Sequence, residues 1–403
     1  MLTGIDLCGL NAIHKRRREL DTMKLLHISD LHIGKRVNEF SMIEDQKYIL
    51  RRILAIADEE QADGVMIAGD IYDKPVPSAE AVGVFDWFLT ELADRGKKVY
   101  AVSGNHDSAE RIAFGAQLMS GRGVFVSPVY QGDAVMFSVQ DPYGELCIYL
   151  LPFIKPAAVR HALEGRPDLD GKTLPESYQD AVALAVERMN VDRSKRNILI
   201  AHQFVTGAGR CDSEEVSVGG LDNVDADIFD AFDYVALGHI HSPQYMKRET
   251  VRYCGTPLKY SFSEAEQEKS VTVVELGGKG QVGISTVPLV PLHDLRRIRG
   301  TYLEVTARDF YQNMDTEDYV QITLTDEEDI PDGLQKLRII YPNLMRLEYD
   351  NSRTKQNRFI ERAEEIEQKS ELELFAEFYE LQNNQPMSDE QTALVAQLIE
   401  ECK

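Results

Sequence analysis

Six short apolar, β-prone runs recur along the chain, at 24–28, 64–68, 98–102, 146–151, 197–201 and 234–237, with helical patterns in the gaps. Continuous apolar runs of this length are the mark of strands buried on both faces, so the rhythm predicts an α/β domain. One helix is expected to start at a capping box, Ser41 with Glu44, and to carry Ile49, Leu50, Ile53, Leu54 and Ile56 as one apolar stripe. A second is expected over 78–95, with Phe85, Trp87, Phe88 and Leu92 packed on a sheet.

The residues just after each run matter more than the run itself, because ligands in open α/β sheets sit beyond the carboxyl ends of the strands. The first run leads into Ser29-Asp30-Leu31-His32, the second into Gly69-Asp70 and the third into Gly104-Asn105-His106-Asp107. The fifth leads into His202 and the sixth into Gly238-His239-Ile240-His241, so five of the nine histidines fall at strand exits. Any one of these fragments is an ordinary turn, but turn histidines have no reason to gather at strand ends. Carboxylate, amide oxygen and imidazole together suit a borderline divalent cation such as manganese, iron or zinc. A carboxylate shared by two such ions would hold them about 3.5 to 4 Å apart, an arrangement that activates water and stabilises in-line displacement at phosphorus. The expected place is one rim of a central sheet. The glycines before Asp70, Asn105 and His239 are expected to supply tight turns beneath the ligands.

Composition bounds the rest. At 403 residues two or three units are expected, and 43% hydrophobic with 28% charged residues is the balance of a globular chain. No stretch approaches the roughly 18 to 20 apolar residues of a membrane-spanning helix. Cys8, Cys147, Cys211, Cys254 and Cys402 form no C-x-x-C pair, and read as reduced thiols of a cytoplasmic protein. Residues 1–22 place an apolar run ahead of the basic cluster Lys15 to Arg18, the reverse of a secretory signal, and are expected to be a disordered extension before Met23. The net charge of −23 argues against a nucleic-acid partner unless bound cations, a local basic face or a second subunit supply the positive charge. The stretch from Gly165 to Gly171-Lys172-Thr173 has one residue too many for a P-loop, so ATP binding is not expected of this chain.

Taken together, Asp-x-His, Gly-Asp, Gly-Asn-His-Asp, His and Gly-His-x-His resemble the motifs of the calcineurin-like metallophosphoesterases. Within that superfamily, over residues 23–403, the chain resembles the SbcD family. Leu151-Pro152-Phe153 with Pro156, Gly255-Thr256-Pro257 leading to Tyr260-Ser261-Phe262, and Gln267-Glu268-Lys269-Ser270 entering a strand carry that closer likeness. The resemblance implies a β-sandwich flanked by helices over 23–280, an α+β capping and DNA-binding domain over 281–352, and helices over 353–403 that bind a partner. It further implies that Asp30, His32 and His241 hold one metal, that Asn105, His202 and His239 hold another, and that Asp70 bridges them. His106 would contact the scissile phosphate as general acid or charge stabiliser, with Asp107 orienting it. Where archaeal and eukaryotic relatives carry a second histidine after Gly-Asp, this chain has Asp73.

The implied activity is manganese-dependent cutting of DNA, as a double-strand exonuclease and a single-strand or hairpin endonuclease, in repair, recombination and replication. The implied setting is a cytoplasmic, nucleoid-associated heterotetramer of two such chains and an SbcC-type coiled-coil ATPase, with the Trp87 helix as candidate dimer contact. Beyond 280 the pattern predicts strands at 301–306, 319–324 and 344–349 and a helix at 334–340. Arg296, Arg297 and Arg299 would suit phosphate contact or form a solvated basic edge. In the tail, Leu372, Phe375, Phe378 and Tyr379, then Leu394, Val395, Leu398 and Ile399 after a capping box of Ser388 and Gln391, suggest two short amphipathic helices with faces for a partner. Two other readings fit the same metal motif: a phosphoesterase for phosphoproteins or small esters, and a scaffold that keeps the fold without the chemistry.

Overall fold

A computed structural model describes residues 22–166, 174–214 and 223–351, and in the tail residues 372, 375, 376, 379, 387, 388, 391, 392, 394, 395, 398 and 399. The expectations for 1–21, for the 167–173 part of the P-loop-like stretch, and for most of the tail lie outside the described residues. The chain divides into two compact units, Met1–Leu295 and Arg296–Lys403. Among the described residues no helix is long and apolar enough to cross a membrane.

All six expected strands form, as Met23–Ile28, Gly64–Ala68, Lys98–Val102, Gly144–Leu151, Arg196–His202 and Tyr234–Gly238. They do not share one central sheet. The first three lie side by side and parallel in a six-stranded sheet, flanked by Val124–Val126 on one side and by the antiparallel Ser270–Leu276 and Val282–Pro288 on the other. The last three lie parallel in a second six-stranded sheet, with Val135–Asp141 at one edge and Arg248–Tyr253 and Gln244–Met246 at the other. The apolar runs are continuous because each strand is covered twice. Leu25, Met66 and Tyr100 of one sheet meet Ile148, Leu150, Ile198, Ile200, Tyr234 and Ala236 of the other in a shared core. Strand periodicity sends the alternate residues outward. On the second sheet these are Tyr149, Leu151, Leu199 and Leu237, packed with Val159, Leu163, Ala181 and Val182 of the helices Pro156–Leu163 and Tyr178–Arg188. On the first sheet the helices Ile43–Glu59 and Ala79–Asp94 pack against each other, and the second of them lies on Lys98–Val102.

The helix Ala79–Asp94 starts as its sequence predicts, with the Ser78 hydroxyl accepting the Ala81 N–H at 3.1 Å. The helix Ile43–Glu59 buries the expected stripe but not through the expected capping box. Ser41 is drawn into the small hairpin of Arg36–Val37 with Phe40–Ser41, Met42 occupies the N-cap, and Glu44 pairs with Lys47 instead. The first unit also runs past the expected boundary at 280, because Val282–Pro288 hydrogen-bonds along Ser270–Leu276 as the edge strand of its sheet.

The second unit is α+β in its described residues, with the strands Leu295–Gly300, Tyr319–Leu324 and Leu344–Tyr349 in that order, around Ile298, Val305, Val320, Ile322, Leu324, Leu337, Tyr341 and Leu344. The expected strand at 301–306 is instead the helical turn Tyr302–Val305, fixed by a capping box of Thr301 and Glu304 that β-branched content alone concealed. The strand sits just before it and contains the three arginines. Arg296 pairs with Asp318 and Arg299 with Asp350, so two of the three are occupied within the unit and fit a salt-bridged edge.

Candidate metal centre

Because the site-bearing strands run parallel within each sheet, and the two sheets face each other, their carboxyl ends converge on one rim. The convergence is fastened by hydrogen bonds between the sheets. His202 at the end of the second-sheet strand places Nδ1 2.8 Å from the Ala68 carbonyl of the first, and the His239 N–H donates to the Asp30 carboxylate at 3.0 Å. Deeper in, His27 spans the same gap, 2.9 Å from the Tyr234 hydroxyl and 3.2 Å from the Leu237 carbonyl. Burial pushes His27 down to about 3, so it works as a neutral core histidine.

All seven expected ligands are brought together. Asp30, His32 and His241 form one group whose donor atoms lie within 4.8 Å of one another. His32 and His241 face each other with their Nε2 atoms 3.1 Å apart. Asn105, His202 and His239 form the other, with the Asn105 Oδ1 3.0 Å from both His202 Nε2 and His239 Nδ1. Asp70 stands between the groups: its Oδ2 is 3.4 Å from His202 Nε2 on one side and 3.7 Å from His32 Nε2 on the other. Cation–nitrogen bonds of about 2.0 to 2.1 Å place two ligand nitrogens about 3.0 to 3.4 Å apart, which is the spacing seen here. The residues therefore fit a pair of borderline divalent cations, in donor type as well as in distance.

The electrostatics agree. Asp30 and Asp70 share a pocket from which water is excluded, and burial, reinforced by Asp70, pushes the Asp30 carboxyl up to about 8. Burial would raise Asp70 too, but the imidazoles of His202, His32 and His106 hold it well below the usual carboxylate range. Burial is the largest single influence on His202 and lowers it, but Asp70, Asp30 and the Ala68 carbonyl together raise it to about 9, whereas His32 and His241 are driven well below the usual imidazole range by burial. A buried cluster that holds the Asp70 carboxylate, a second carboxyl at Asp30 ready to give up its proton and two neutral imidazoles is suited to take up positive charge.

Calcineurin-like phosphoesterases match residues 23–243, and the Type 5 capsule protein repressor C-terminal domain of SbcD matches residues 291–383. The D-subunit of the nuclease SbcCD from Staphylococcus epidermidis is 30% identical over 386 residues, covering 94% of this chain and 98% of that protein. The chain belongs to the SbcD family. Among solved structures, TT1561 of Thermus thermophilus aligns with TM-score 0.37 at 13% identity, over 66% of this chain and 99% of its own. A dimetal phosphatase from Danio rerio aligns with TM-score 0.38 at 14% identity, over 67% of this chain and 100% of its own.

In this SbcD-family chain Asp107 is tied to the backbone of two site loops. Its carboxylate accepts the backbone N–H groups of Ile71, Tyr72 and Gly104 at 2.9 to 3.0 Å, so it clamps the Gly-Asp loop to the Gly-Asn-His-Asp loop. The His106 ring places Nδ1 3.1 Å from the Asp73 carbonyl. Burial pushes the Asp107 carboxyl up to about 6 against those three bonds. The glycines differ from expectation. Gly69 takes a positive φ, but at Gly104 and Gly238 the constraint is space: a Cβ would lie 2.0 Å from Asp70 Oδ1 and 1.8 Å from the Ala68 oxygen, respectively. The left-handed backbone is taken up by the ligands themselves, with φ of 52° at Asp30, 43° at His32, 48° at Asp70 and 102° at His239. Such strain, about 1 to 3 kcal/mol per residue, is characteristic of functional sites.

Several residues support the expected ligands, and Gln46 and Glu214 among them belong to none of the motifs. Gln46, on the helix Ile43–Glu59, bonds the Leu31 and His32 carbonyls and accepts the Gly34 N–H, so it grips the Asp-x-His loop. The Tyr260 hydroxyl donates to the Leu31 carbonyl at 2.5 Å, and Phe153 stacks on His239 at 6.3 Å. Asp73 pairs with Lys35 at 2.9 Å beside His32. Glu214 accepts the His241 N–H at 2.7 Å, and burial pushes its carboxyl up to about 7.

Proposed function

We propose that this chain is the nuclease subunit of an SbcCD-type assembly and hydrolyses DNA phosphodiester bonds with two divalent cations, manganese being the expected ion. The observation that carries this reading is Asp70, set between two groups of donors as a shared carboxylate must be. Asp30, His32 and His241 would hold one cation, Asn105, His202 and His239 the other, and Asp70 both. When bound, such a pair activates water at neutral pH and neutralises charge on the phosphoryl group.

The chain's own residues do the rest. His202 donates a hydrogen bond from Nδ1 to the Ala68 carbonyl, which leaves Nε2 as the nitrogen that would face a cation once its proton is displaced. His106, anchored through Nδ1 to Asp73, keeps Nε2 3.9 Å from Asp70 and can hold a proton there for the leaving oxygen or a phosphate oxygen. The strained ligand backbones and the clamp of Asp107 keep these atoms in place without reorganisation.

The net charge of −23 is offset at the site by the cations, and the remaining grip on the duplex is assigned to an SbcC-type coiled-coil ATPase. In the tail, Ser388 and Gln391 form the expected reciprocal cap, while Leu394 and Leu398 remain exposed, which supports docking of this segment on that partner. Two copies of the chain are proposed to pair as the core of a heterotetramer that acts at the nucleoid in the cytoplasm. Arg51 lies over the Trp87 ring at 5.6 Å, and exposed Val82 and Tyr48 belong to the same two helices.

The test is degradation of linear and hairpin-ended duplexes with manganese, with and without chelator and the ATPase, beside a small chromogenic phosphodiester. Manganese-dependent cutting of DNA is expected, and a chain that turns over the small ester while leaving every DNA substrate intact would belong with the general phosphoesterases instead.

A further inference from the structure

Three buried charged groups converge on His241, and only one of them, Lys269, lies in a sequence motif. The Ser213 hydroxyl lies 2.6 Å from His241 Nδ1 and 2.6 Å from Glu264 Oε1. Glu264 is wholly buried, and its second oxygen is 2.6 Å from the Lys269 ammonium, itself buried. Lys269 also donates to the His241 carbonyl at 2.9 Å, and Glu214 accepts the His241 N–H. Serine has one hydroxyl proton to give. A carboxylate paired with an ammonium can only accept, so that proton is committed to Glu264, and the serine oxygen must accept from His241 Nδ1–H. The unprotonated Nε2 is thereby turned toward His32, 3.1 Å away.

We infer that Ser213 and Glu264 are positioning residues for His241: together they fix which of its nitrogens carries the proton and so present Nε2 as a cation donor. This rests on the reading of His241 as a ligand. The device differs from that at His202, whose Nδ1 meets a neutral backbone carbonyl, Ala68. A carboxylate behind the serine makes the imidazole a better donor, so the group of Asp30, His32 and His241 gains affinity relative to its neighbour. The buried Glu264–Lys269 pair fits such a role better than a stabilising one, since ion pairs without water are weak contributors to folding.

Removing the serine hydroxyl leaves the Glu264–Lys269 pair intact, which makes Ser213→Ala the informative variant. Manganese titration of the full chain, with free ion counted by electron paramagnetic resonance and the bound spectrum read for spin coupling, should show two ions in the wild type. In Ser213→Ala one of the two is expected to bind roughly 10- to 100-fold more weakly, with loss of the coupled signal and an unchanged thermal midpoint. Ser213→Thr, which keeps the hydroxyl, should restore both. Wild-type binding of both ions by Ser213→Ala, with one ion lost in His241→Ala, would overturn the inference alone. Equal loss in Ser213→Thr would assign the effect to packing and overturn it too. If His241→Ala itself keeps both ions, the reading of His241 as a ligand fails and the inference goes with it.

Discussion

Replacing His106 with alanine is expected to abolish DNA cutting while both cations remain bound. The ring can be removed cleanly because the bond that matters to the ligands comes from the backbone: the His106 N–H donates to Asp70 Oδ1 at 2.9 Å, and alanine keeps that N–H. Asn105 before it and the Asp107 clamp after it are likewise untouched. The ring takes with it the Nε2 held toward the centre, the bond to the Asp73 carbonyl and the edge contact with His32 at 4.8 Å. A group that moves a proton or steadies transferring charge contributes roughly 10²- to 10⁴-fold, about 3 to 5 kcal/mol on the barrier. Cutting rates on linear duplex with manganese, together with metal content by atomic emission, decide the matter. Cutting at the wild-type rate would remove His106 from the mechanism, and loss of metal would make it a ligand.

The candidate ligands could be picked out in the sequence because each follows an apolar run, and such runs are identifiable without knowing how they are arranged. Their arrangement was not legible. Residues such as Leu25 and Met66 read equally well as strand residues under a helix or opposite a second sheet, so one rim of one sheet became the meeting of two. Boundaries failed where a local pattern had a competitor. Ser41 and Glu44 spell a capping box but lose to a hairpin, and 301–306 reads as strand although Thr301 and Glu304 cap a helical turn. The supporting residues around the ligands were invisible for a different reason. Gln46 lies 14 residues from the His32 carbonyl it bonds, and Ser213 lies 28 residues from His241 and 51 from Glu264, so only folding brings them together.

The two sheets approach closely at Gly238, and there a single methyl group is expected to be intolerable. A Cβ at this position would sit 1.8 Å from the Ala68 oxygen, 2.9 Å from its carbon and 2.8 Å from His202 Nδ1. None of these can yield, since the first two are backbone of a central strand and the third is already bonded to that same oxygen. Gly238→Ala must therefore push the sheets apart, at about 3 kcal/mol or more for overpacking and about 1 kcal/mol for the His202 bond. For a unit of this size the thermal midpoint should fall by roughly 10 °C. The damage should also be chemical, because His202 and His239 lie on either side of the displaced strand end, and the cation they share with Asn105 should be lost first. The same change at Gly83, on the exposed face of the helix Ala79–Asp94, meets nothing within 4 Å. There alanine should stabilise by about 0.5 to 1 kcal/mol through better helix propensity. Opposite signs for one substitution at two glycines, read by thermal unfolding and metal content, would tie the cation site to the distance between the sheets; a Gly238→Ala protein that unfolds at the wild-type temperature with both ions bound would show that the sheets do not meet there.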